Sequence, residues 1–148
     1  MHKQHKKIVL VSVFITLISW IYILTSYSSI PNKIVGHLDF NGNINRFDDK
    51  KMIWFLLIIF STIQYFIYWF TKKQKTKSYN IKNMHAQRTI SLFTMPYISI
   101  LMLLIIVSIV EKSKNIELNL SWLLYFLITI TFLYLIILCS FIYKNLKK

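Results

Sequence analysis

His37 and Asp39 stand two residues apart in a segment rich in turn formers, and Asp48 and Asp49 follow close behind. An imidazole and a carboxylate held near each other can pass a proton, which is the core of general acid–base catalysis. One histidine with three carboxylates also offers metal ligands. A metal centre, however, needs three or four ligands converging in a set geometry. No nucleophile motif, Gly-rich phosphate loop or H-E-x-x-H accompanies these residues. The chain is therefore expected to be non-enzymatic, with no catalytic residue, no metal and no cofactor. His37 and Asp39 are expected to satisfy backbone groups in a turn.

The second residue of chemical interest is Gln64, the most polar side chain inside a long apolar run. An unpaired amide in hydrocarbon costs several kcal/mol. Gln64 is expected to bond to another helix. A ligand in a transport path is the alternative role. The single cysteine, Cys139, excludes a disulfide framework and any Cys-based zinc motif, and reads as a small apolar residue.

The elements that carry these residues follow from composition. Of 148 residues, 55% are hydrophobic and 16% charged, against about 25% charged in a soluble domain. Four apolar runs reach the roughly 20 residues a spanning helix needs: Ile8 to Tyr27, Met52 to Phe70, Ile90 to Val110 and Trp122 to Tyr143. None contains Asp, Glu, Lys, Arg or His. The first run exceeds a signal-peptide core of about 7–15 residues and is expected to stay as an anchor. The fold class expected is an all-α, four-helix membrane bundle forming one domain over residues 1–148, with a structured outer loop at 28–51.

The net charge of +13 is distributed unevenly. Twelve of the 18 Lys and Arg lie in the N-terminal tail, the segment Thr71–Arg88 and the C-terminal tail; all five Asp and Glu lie in the other two connections. The positive-inside rule then puts both termini in the cytoplasm. Lys outnumbers Arg 16 to 2, and Asn and Ile are frequent, which points to an AT-rich bacterial genome and so to a bacterial plasma (inner) membrane as the location expected. Long apolar runs separate the basic clusters, so they form no continuous stripe for nucleic acid, and anionic lipid is the partner they suit. Trp54, Trp122, Trp69 and Tyr143 fall near span ends, where amphipathic rings favour the headgroup zone.

Small and polar residues set the expected packing. Ser12, Thr16 and Ser19 share one helical face. So do Ser61, Gln64, Tyr65 and Tyr68. In the fourth span, Ser121, Tyr125, Thr129, Ile136 and Ser140 form a stripe. All three faces are expected to point inward. Pro96 is expected to kink the third span. Ile81–Arg88 is expected to form a short interfacial helix, and Glu111–Leu120 a small, nearly neutral loop. Four short helices leave little room for an internal cavity, which is compatible with a homodimer.

The outer segment holds Pro31, Gly36 and Gly42, and Asn41-Gly42 is a strong turn signal. Ile34, Val35, Leu38 and Phe40 are expected to anchor it on the bundle. Here the sequence resembles a bacterial family of unknown function found in small multispan proteins and at the N-terminus of Sdp-type immunity proteins. That family places P-x-x-I-P-x-H-aromatic-[ND]-x-x-G-x-x-[DN]-x-aromatic-G-S-K after its first span. Pro31, Ile34, His37, Asp39, Gly42, Asn45, Phe47 and Lys50 match in register. Val35 replaces the second proline, Leu38 the first aromatic, and Asp48-Asp49 the Gly-Ser pair. The resemblance implies a multipass bacterial membrane protein whose loop residues contact an extracellular peptide or protein, in immunity or sensing. The chain is shorter than full-length Sdp-type proteins, so their signalling part is expected to be missing.

Overall fold

The computed structural model describes residues 3–39, 41–73 and 84–145. Helix α1 spans Lys3–Ser26 and passes through a 3-10 turn, Tyr27–Ser29, into strand β1, Lys33–Leu38. Strand β2, Ile44–Asp49, returns antiparallel to β1. Helices α2, α3 and α4 span Met52–Lys73, Met84–Lys114 and Ser121–Asn145. All four helices are long and apolar enough to cross a membrane. This is the architecture of a multipass membrane protein. In hydrocarbon every backbone group must be satisfied inside its own segment, and an uninterrupted helix does this. Pro31, Gly36 and Gly42 all fall between α1 and α2.

Local chemistry sets the helix ends. Asp49 Oδ1 accepts the backbone N–H of Lys51 at 2.8 Å, just before α2 begins. Asn119 Oδ1 accepts the N–H of Ser121, the first residue of α4, at 2.9 Å. Beyond α3, the Lys112 ammonium donates to the carbonyls of Ile116 and Leu118, each at 2.7 Å. These bonds fold the α3–α4 loop back onto the last turn of α3.

Helix α3 is the centre of the assembly. In its most apolar stretch 28% of residues are buried, against 6% for α4. Helix α1 lies close along α3 because Ser12, Ser19 and Ser99 are all fully buried and small. Ser99 Oγ lies 3.0 Å from the carbonyl of Ser12, across the two helices. Helix α2 packs on another side of α3. Ile23, Ile53, Leu57, Met102, Ile106 and Val110 form the core between the three, nearest the end that carries the strands. Helices α1 and α2 diverge below it and leave a cleft of about 390 Å³.

Several expectations change here. The chain is not purely α-helical, since residues 33–49 hold a two-stranded sheet. Helix α1 starts before its apolar run and includes His5, which is buried and lies 2.9 Å from Thr89 Oγ1. Met84–Arg88 do not form a separate interfacial helix but are the first turns of α3. Ile81–Asn83 lie outside the described residues, as do Phe40 and the cations Lys75, Lys77, Lys82, Lys147 and Lys148. Pro96 lies inside α3, which continues to Lys114, so Glu111–Lys114 are helix rather than loop. Lys112 is buried there, not a solvated charge.

The fourth span departs most. Tyr125, Thr129, Ile136 and Ser140 are exposed, so their stripe faces lipid. The face turned toward α3 carries Thr131 and Tyr134 instead. Tyr97 stacks on Tyr134 with ring centroids 4.0 Å apart and an interplanar angle of 6°. The Tyr97 hydroxyl bonds Thr131 at 2.9 Å, and Thr94 bonds Tyr134 at 2.9 Å. Hydroxyls turned to lipid need not find a neighbour, because each can return to its own helix: Thr129 Oγ1 donates to the carbonyl of Tyr125 at 2.8 Å. Tyr65 on α2 is also exposed, unlike its stripe partner Gln64.

Candidate functional site

The β1–β2 hairpin is built around two glycines. Val35 pairs with Phe47 and His37 with Arg46, so Gly36 is the extra residue of a bulge. A Cβ at Gly36 would fall 2.1 Å from Asp48 Oδ2. That carboxylate forms an ion pair with Arg46 at 2.9 Å. At the tip, Gly42 adopts φ +82°, a left-handed conformation that costs a side-chain-bearing residue roughly 1–2 kcal/mol. The Gly42 N–H bonds the Asp39 carbonyl at 3.0 Å, and the Asp39 N–H bonds the Asn43 carbonyl at 2.9 Å.

Asp39 organises this turn with its side chain as well. Its Oδ1 accepts the N–H groups of Asn41 at 2.9 Å and Asn43 at 2.8 Å, and its Oδ2 accepts the Asn43 side-chain amide at 3.0 Å. The backbone N–H of Asn43, then its side-chain amide, hold the Asp39 carboxyl below the usual carboxylate range. His37 turns elsewhere. Its Nδ1 lies 3.4 Å from the Asn45 side-chain nitrogen. Among the described residues no three His, Cys, Asp or Glu side chains come together as a metal site would require.

The hairpin is fixed to the helices on one side. Ile34 is 1% exposed and joins the core, and Val35 is 2% exposed. The Val35 N–H donates to Ser113 Oγ on the last turn of α3 at 2.9 Å. A proline at this position has no N–H to give. At the base of β2, the Lys50 ammonium sits 4.7 Å from the Tyr27 ring centroid and 3.5 Å from the Ile30 carbonyl. Gly42 lies against the start of α4, where an added Cβ would come 3.3 Å from the Ser121 nitrogen. Between β1 and helices α3 and α4 remains an apolar cleft of about 230 Å³, lined by His37, Leu38, Ile105, Ile109, Leu123 and Leu127 among others.

The eight matched residues therefore separate into two groups. Ile34, Asp39, Gly42 and Lys50 hold the hairpin's shape and position. Pro31, His37, Asn45 and Phe47 are exposed, Phe47 to 46%. Three contributors at this end were not singled out from sequence: Ser113, Lys112 and the Tyr22–Glu111 hydrogen bond of 2.7 Å. A polar Glu-Lys-Ser run directly after an apolar span was the available signal, because such residues sit where helix carbonyls need partners.

Gln64 occupies a second polar site, at mid-span. It is 4% exposed. Thr16 Oγ1 lies 2.9 Å from Gln64 Oε1 and 2.9 Å from the Ser12 carbonyl. This is the interhelical bond expected of it. Among the described residues the amide nitrogen, Nε2, is buried with no partner. Reversing the amide would only exchange which end is bonded. Gln64 lines the α1–α2 cleft with Thr16, Trp20, Ser61 and Tyr68.

Residues 14–61 match a protein family described as Domain of unknown function (DUF1648). The match covers α1 from Phe14, the whole hairpin and the first half of α2. No curated protein and no solved structure matches the chain. In that stretch the chain is similar to a domain whose function is unknown.

Proposed function

We propose that this protein is a non-enzymatic, multipass protein of the bacterial plasma membrane whose β1–β2 hairpin binds an extracellular peptide or protein. The outcome of binding is protection from a toxic peptide, or sensing of it. The observation that carries the reading is the hairpin's two-sidedness. Ile34 and Val35 are buried against the helices, while His37, Asn45, Arg46 and Phe47 are exposed. A recognition surface of this kind needs little ordering when a partner arrives. The aromatic ring and the arginine are residue types enriched where interfaces concentrate their energy. The apolar cleft beside His37 has room for a side chain of a bound peptide rather than for a whole small-molecule ligand, which usually needs about 300 Å³ or more. The uneven distribution of Lys and Arg supports an extracytoplasmic hairpin.

The test is survival. A sensitive bacterium expressing the chain should resist secreted toxic peptides, and Phe47→Ala with Arg46→Ala should abolish resistance at unchanged membrane abundance. Sensitivity that is the same with the intact chain, the variant and no chain at all rules the reading out.

A second reading, a small transporter or channel subunit, rests on the unpartnered Gln64 amide beside the α1–α2 cleft. It expects conduction or uptake in reconstituted vesicles that Gln64→Leu removes.

A further inference from the structure

At the end of the molecule opposite the hairpin, α1, α2 and α3 surround a cleft of about 350 Å³. Each helix contributes one cation to its wall: Lys6 from α1, Lys72 from α2 and Arg88 from α3. None of the chain's five Asp and Glu reaches it, since Asp39, Asp48, Asp49, Glu111 and Glu117 all belong to the hairpin end. Three like charges around one cleft favour an anion between them. We propose that this cleft binds a phosphate group, and that its occupant is the headgroup of an anionic phospholipid.

The lining chemistry suits phosphate. A guanidinium offers a planar fork to two phosphate oxygens, and the lysines supply mobile point charges. Tyr68, which carries a neutral hydroxyl, also lines the cleft. His5 and Thr71 form part of the wall and are 2% and 5% exposed. His5 is held by Thr89 and stacks on His85 at 4.6 Å. The amino ends of α1 and α3 lie at this end of the molecule, and their dipoles favour a negative charge.

Two observations favour a lipid over a soluble phosphate. The first is depth. From Arg88 to Lys112 α3 rises about 36 Å, slightly more than the roughly 30 Å of bilayer hydrocarbon. The cleft therefore falls at headgroup level. Trp69, with Lys73 3.9 Å above its ring, occupies the same level on α2. The second is continuity. Tyr68 borders both this basic cleft and the deeper, mainly apolar cleft between α1 and α2. A molecule with a charged head and an acyl chain can use both spaces, whereas inorganic phosphate fills only the first.

The experiment uses the full chain purified in mild detergent. Native mass spectrometry and thermal melting follow the addition of phosphatidylglycerol, phosphatidylcholine or inorganic phosphate. Phosphatidylglycerol should be retained at one per chain and raise the melting temperature, and phosphatidylcholine should do neither. Lys6→Gln, Lys72→Gln and Arg88→Gln should each weaken retention about fivefold. Lys144→Gln, at the same end on α4 but outside the cleft, should leave retention unchanged. If Arg88→Gln fails to fold, Lys6→Gln, exposed near the start of α1, carries the test. Equal retention by wild type and cleft variants overturns the proposal. So does a melting shift with inorganic phosphate that depends on these cations while phosphatidylglycerol is not retained.

Discussion

Asp39 and Gly42 carry the hairpin's turn by different means, one by accepting hydrogen bonds and the other by adopting φ +82°. The Asp39 bonds exist only for the carboxylate. Because the folded group titrates below its unfolded value, its contribution to the turn is complete above the unfolded value. That contribution is lost as pH falls through the lower, folded one. A carboxyl-carbon NMR titration should place the Asp39 midpoint below the ordinary aspartate value of about 3.9. A midpoint at or above that value would mean that the turn does not hold the carboxylate. Residue types also explain what was legible in the sequence. An Asp before Asn-Gly is a turn with a mechanism, and the turn is there. The separation of the matched residues into supporting and exposed groups was not legible. A strand's alternation predicts faces only while its register is regular, and the Gly36 bulge breaks it.

Helix α3 decides which faces of the other helices are inside. Its contact with α1 relies on the absence of bulk at Ser12, Ser19 and Ser99. Ser99→Leu should force the helices apart and cost about 1–3 kcal/mol, read as a lowered unfolding midpoint in detergent. Ser140→Leu, on the exposed side of α4, should be close to neutral. An equal effect of the two changes would remove the distinction between a packed and a lipid-facing serine. Both are serines within apolar runs, so residue type alone could not separate them. In water the apolar face of a helix marks its inside. In lipid both faces are apolar, and the inward one must be read from its neighbours. This is why the stripe of α1 points inward while that of α4 does not.

Charge divides the protein into two ends. The hairpin end holds all five Asp and Glu with six Lys and Arg, and among the described residues Lys3, Lys6, Lys7, Lys72, Lys73, Arg88 and Lys144 lie at the opposite end. The proposed insertion, with the hairpin outside the cell, rests on that asymmetry. In a Cys139→Ser background, an impermeant thiol reagent applied to intact cells should label Asn43→Cys and spare Lys144→Cys. Labelling in the reverse pattern would invert the orientation and remove the hairpin from any extracellular partner. The basic cleft and the hairpin lie at opposite ends of α1, α2 and α3, so the proposed lipid and peptide sites are separated by the length of the helices.

The sequence by itself determined that four segments leave water, roughly where each begins and ends, and which connection holds a turn. Those properties depend on transfer free energies and backbone preferences, and each is local to a few consecutive residues. Only the tertiary structure decided that α3 is central, that Ser113 secures Val35, and that Lys6, Lys72 and Arg88 share one cleft. These are meetings between residues distant in the chain, and in a hydrocarbon solvent composition carries almost no signal for them.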